Sequence, residues 1–136
     1  MIEFALTIPG TRNWYRVLIF PRVNQMHEFY DAQWKSGEVC SCKHQHRGKI
    51  DRGFLGQVNY IRPKMPDGSL GQILLCKKAI GAGIVSHEMT HAAVFYLRNH
   101  QGMNISNPRN DERLAYLQGD LTREFWREWW KTQEAR

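Results

Sequence analysis

The chain has 136 residues, 42% of them apolar, and a formal net charge of +6. That length fits one domain spanning 1–136, and the apolar share, close to that of an ordinary globular protein, allows a real core. Three cysteines, an odd number, argue against a disulfide scaffold.

The first residues, MIEFALTIPG, carry an acid and no basic stretch, unlike a secretory signal. No apolar run has the length a bilayer demands. The expected setting is therefore a reducing cytoplasm, with no membrane partner. The positive charge favours anionic partners, nucleic acid among them, although the basic residues are scattered rather than blocked.

In chain order, residues 2–8 and 14–20 are β-rich runs either side of Pro9-Gly10, which predicts a hairpin. Residues 23–36 space Val23, Met26, Phe29/Tyr30 and Trp34 as a helix does, ending before Gly37. A polar stretch at 37–54 holds Cys40, Cys42, His44 and His46, four metal-capable side chains at alternate positions. Structural zinc sites prefer wider gaps within a cysteine pair, and Lys43, Arg47 and Lys49 interleave, so a solvated loop competes with a second metal site. Residues 55–62 and 71–76 flank Pro66-Asp67-Gly68-Ser69 and predict a second hairpin.

Residues 78–99 are the longest apolar-periodic segment, small or apolar nearly all round, and predict a buried central helix. Asn107 and Pro108 suit the N-cap and first position of a last helix to about residue 132, with Asp111 and Glu112 in its first turns. Its end is unusually aromatic: Phe125, Trp126, Trp129 and Trp130. They are expected to cap the sheet or the N-terminal helix or, on a sharper reading, to form a partner-binding or dimerisation surface. The fold class is α+β: a small, mostly antiparallel sheet of about four strands with three helices mainly on one face.

The chemistry lies at His87-Glu88-Met89-Thr90-His91, an HExxH pattern on the central helix. Positions i and i+4 project from one helical face, so both imidazoles can address one ion. Glu88 sits about 100° round the helix, off the ion but close enough to act as a base toward water beside it. The competing reading is an ordinary pair of helix histidines. A catalytic zinc site takes a third protein ligand. Glu112 is the choice, since it shares a face with Ala115/Tyr116, Gly119 and Thr122, and small residues there would allow close packing against the central helix. Asp111 is the alternative. Tyr116, one turn from Glu112, is a candidate oxyanion donor, although a core aromatic is the blander reading.

HExxH followed about twenty residues on by a helical Glu-x-x-Ala resembles the gluzincin side of the zincin metallopeptidases. The small ImmA/IrrE-like and phage-type metallopeptidases are most similar, over roughly residues 56–125. The resemblance implies a minimal zincin core, Zn2+ held by His87, His91 and Glu112, and hydrolysis of a peptide or protein substrate with Glu88 as general base. A SprT-like site would use a third histidine, and His100 is too close along the same helix. The expected cleft lies between the central helix and strand 71–76, with substrate pairing along that strand as an edge. The second reading is a catalytically silent, zincin-like binding protein, a phage or mobile-element factor contacting a host protein or nucleic acid.

Overall fold

A computed structural model describes residues 1–36, 40–41, 56–60 and 65–135. The architecture is α+β, with a mixed sheet and three α-helices. The strands are β1 (Ile2–Thr7), β2 (Trp14–Phe20), β3 (Cys40–Ser41), β4 (Gly56–Tyr60) and β5 (Gln72–Cys76), in the order β1-β2-β5-β4-β3. The helices are α1 (Val23–Ser36), α2 (Ala82–Phe95) and α3 (Asp111–Glu134).

Both expected hairpins form: β1 pairs antiparallel with β2, and β4 with β5. In the first turn Gly10 takes φ 75°, where a side chain would be strained. The Asn13 carbonyl accepts from the Ile8 amide at 2.8 Å, closing that turn. In the second, the Ser69 amide donates to the Asp67 carboxylate at 2.9 Å, while Gly68 takes φ 85°. What joins the hairpins is a parallel pairing of β2 with β5, from Arg16 opposite Gln72 to Phe20 opposite Cys76.

That junction makes β2 and β5 the sheet's middle, and every residue of β5 is buried. Alternation sorts their side chains onto two faces. Val17, Ile19, Ile73 and Leu75 join one core with Val85, Met89 and Ala92 of α2 and Leu121, Phe125 and Trp129 of α3. Leu18, Phe20, Leu74 and Cys76 join Met26 and Tyr30 of α1 in a second core on the opposite face. Two helices thus cover one face and α1 the other. A strand covered on both sides reads as an unbroken apolar run, as Val17–Phe20 does.

Helix α2 is buried along one side rather than all round. Val85, Met89, Ala92 and Ala93 are buried, while Gly83, His87 and Thr90 face solvent. The buried Tyr15 hydroxyl donates to the Ala92 carbonyl at 2.7 Å, tying β2 to α2. The helix then widens into a π-turn, Tyr96–His100, and stops at Gly102, φ 62°. Helix α3 is preceded by a 3-10 turn, Pro108–Asn110, whose Asn107 cap accepts from the Arg109 amide at 3.0 Å. Among the described residues no helix is long and apolar enough to cross a membrane.

Replacing Tyr15 with Phe removes one buried hydrogen bond and little volume. The Ala92 carbonyl keeps its helical donor, the Tyr96 amide. The expected cost is about 1 kcal/mol. Thermal melting should fall by roughly 4 °C in a chain of this size.

Candidate metal centre

The α-helical repeat puts His87 and His91 one above the other on the solvent side of α2. Their Nε2 atoms lie 3.1 Å apart, with ring centroids at 4.8 Å and planes at 74°. Two nitrogens on a tetrahedral zinc at its usual bond length stand about 3.3 Å apart. The observed spacing therefore fits the bite of one ion. The same 3.1 Å contact is also the length of a hydrogen bond between a protonated and an unprotonated Nε2.

Glu88 goes the other way. It is 3% exposed although its neighbour's side chain is 62% exposed. Its Oε1 reaches back to 4.0 Å from His87 Nε2. One carboxylate oxygen is thus held beside the histidine pair by a side chain otherwise sunk into the protein. That is where a general base toward a water at the ion belongs.

Behind Glu88 lies Gly56, the first residue of β4. A β-carbon there would stand 2.8 Å from Glu88 Cγ and 3.0 Å from Oε1. Sequence reasoning passed over this residue. Its signal was a glycine inside the strand-like run 55–62, a mark of close approach. Ser86 was also passed over. Its carbonyl and hydroxyl receive Gln118 Nε2 of α3 at 3.3 and 3.0 Å, and the carbonyl also receives Thr90 Oγ1 at 2.9 Å. The two Gln118 bonds fasten α3 to α2 one residue before the first histidine.

Set against family models, curated proteins and solved structures, the chain matches none.

The other expected site residues are placed differently. Helix α3 packs through Leu114, Leu117, Leu121 and Phe125, and bonds α2 through Gln118. Glu112, Ala115, Tyr116 and Gly119 are exposed, and a β-carbon on Gly119 would touch nothing within 4 Å. Contrary to expectation, Ala115 and Gly119 do not pack against the central helix. Large apolar side chains fix the buried stripe, and it runs along another face. Asp111 is exposed beside Glu112. Among the described residues no three of His, Cys, Asp and Glu gather as a metal group.

Tyr116, 68% exposed, lines a hollow of about 350 Å³ with Tyr96, Gln101 and Arg113. None of His87, Glu88 and His91 lines it, so the structure gives the oxyanion role no support. Strand β5 is flanked by β2 and β4 and has no edge to offer a substrate, which corrects the expected cleft. Strand β4 is the one that runs beside Glu88. Cys40 lies in β3, while Cys42, His44 and His46 lie outside the described residues. Of the aromatic run, Phe125 and Trp129 are buried in the core, as the sheet-capping reading expects. Trp130 is 57% exposed and stacks on Trp126 at 6.3 Å.

Proposed function

We propose that the chain is a zinc-dependent hydrolase of peptide bonds, working in the cytoplasm. The observation that carries this is the 3.1 Å separation of the His87 and His91 Nε2 atoms with the Glu88 carboxylate beside them. When bound, zinc supplies Lewis acidity, polarising a carbonyl and bringing the pKa of water toward neutrality. His87 and His91 would hold the ion. Glu88 takes the proton from the attacking water and returns it to the leaving amine. Its burial keeps competing solvent from the carboxylate and fixes its position. Glu112 remains the sequence's nominee for third ligand, and an experiment decides it.

Zinc content of the purified protein, measured by native mass spectrometry, tests the centre. One ion per chain is expected in the wild type. Loss or marked weakening is expected in His87→Ala and His91→Ala. Glu112→Ala should lose zinc if that carboxylate is a ligand and retain it if another group serves. Chelator-sensitive hydrolysis of a casein-type substrate tests the reaction. A wild type that takes up no zinc when both histidines are intact overturns the reading.

The Trp126–Trp130 stack, exposed at Trp130, favours a second reading: a catalytically silent binding protein contacting a host protein or nucleic acid. Salt-sensitive binding to DNA or RNA with no hydrolysis would select it.

A further inference from the structure

We infer that Gly56 is the positioning residue for the Glu88 carboxylate, its missing side chain being the space in which the base is seated. The inference rests on the hydrolase reading for its catalytic meaning and on geometry for the contact itself. An ideal β-carbon on Gly56 would meet Glu88 Cγ at 2.8 Å, Oε1 at 3.0 Å and Cδ at 3.1 Å. All three atoms belong to the same side chain. Of the glycines whose surroundings are described, Gly10, Gly68, Gly81, Gly83, Gly102 and Gly119 would each place a β-carbon in open space. Gly10, Gly68 and Gly102 are held by positive φ instead. Gly56 has no positive φ, so the turn chemistry that explains those three does not explain it.

The fold explains why the contact is rigid. Gly56 pairs with Leu75 of β5, the fully buried central strand, so its backbone is fixed from within the sheet. Glu88 is fixed on the other side by α2, whose Val85, Met89 and Ala92 are locked into the same core as Val58 of β4 and Leu75. Neither backbone can retreat cheaply, because both are set by close-packed side chains. A side chain at position 56 must therefore move Glu88 itself. Ordinary van der Waals contact begins near 3.4 Å, so Cγ would have to shift by about 0.6 Å or more. The shift is a rotation of the Glu88 side chain, and it carries Oε1 away from its place beside His87. A base misplaced by about an ångström costs on the order of a hundredfold in rate. The three atoms nearest to a β-carbon at position 56 all belong to Glu88 and none to His87 or His91, so zinc binding should be spared.

The test uses the full chain and three variants, Gly56→Ala, Gly56→Val and, as control, Gly119→Ala. Three quantities are measured: zinc content, kcat and KM on a casein-type substrate, and carbodiimide labelling of Glu88 read by peptide mass spectrometry. In the wild type the sunken carboxylate should label slowly. Gly56→Ala should raise Glu88 labelling several-fold and lower kcat by roughly tenfold, with KM and zinc content unchanged. Gly56→Val should do both more strongly. If Gly56→Val fails to fold, Gly56→Ala carries the test. Gly119→Ala should match the wild type throughout. A merely structural glycine would lower thermal stability without a kcat change at unaltered KM. Unchanged Glu88 labelling in a folded Gly56→Ala overturns the inference, as does unchanged kcat in a protein that hydrolyses the substrate. A wild type with no hydrolysis fails the hydrolase reading instead. The labelling then decides by itself whether Gly56 seats Glu88.

Discussion

Glu88→Gln is expected to retain one zinc per chain and to lose turnover by about 10²–10⁴-fold, the usual worth of a positioned general base. Glutamine has nearly the shape of glutamate, so the seat formed by Gly56 still holds it. An amide cannot accept a proton from water at neutral pH, and only that capacity is removed. His87 and His91 are untouched, so metal binding should differ little. The fall should appear in kcat with KM almost constant, since the change acts on the transition state. Single-turnover kinetics together with zinc content measure it. Retained full activity would remove Glu88 from the mechanism even if zinc were present.

The largest effect on stability is expected at Phe125→Ala. Phe125 is fully buried where α3 crosses the sheet, its ring 5.7 Å from that of Phe4 and 5.4 Å from that of Trp126. Truncating a buried aromatic to alanine costs about 3–5 kcal/mol through lost transfer and the cavity left behind. Domains of this size are stable by only about 5–15 kcal/mol. Thermal melting should fall by roughly 12–20 °C, which calorimetry would register. Trp130→Ala, on the exposed side of the same helix, should change stability far less.

The hairpins and helix spans were legible because they are local. Pro9-Gly10 and Asp67-Gly68-Ser69 carry their own turn chemistry, and Asn107-Pro108 its own cap. The parallel pairing of β2 with β5 joins residues far apart in sequence, and no turn announces it. Its trace was the run Val17–Phe20, four consecutive apolar residues where a strand with one solvated face would alternate. The histidine pair was legible from spacing alone, because helical geometry fixes it. The seat of Glu88 was not, since it depends on which strand lies behind the helix. The face of α3 was misread for a related reason. Ala115 and Gly119 permit close packing without demanding it, whereas Leu117, Leu121 and Phe125 demand burial.

The parallel rung at the sheet's middle also dictates an order of events during synthesis. The β1–β2 stretch and α1 leave the ribosome before β5 exists, so one flank of β2 must wait with amides and carbonyls that have water but no strand partner. Closing that gap brings together distant stretches of chain, a slow step in folding. The nascent protein thus carries a sticky β-edge for as long as it takes to make the segment from Pro21 to Cys76. Its yield in a cell should depend on how well that edge is shielded meanwhile.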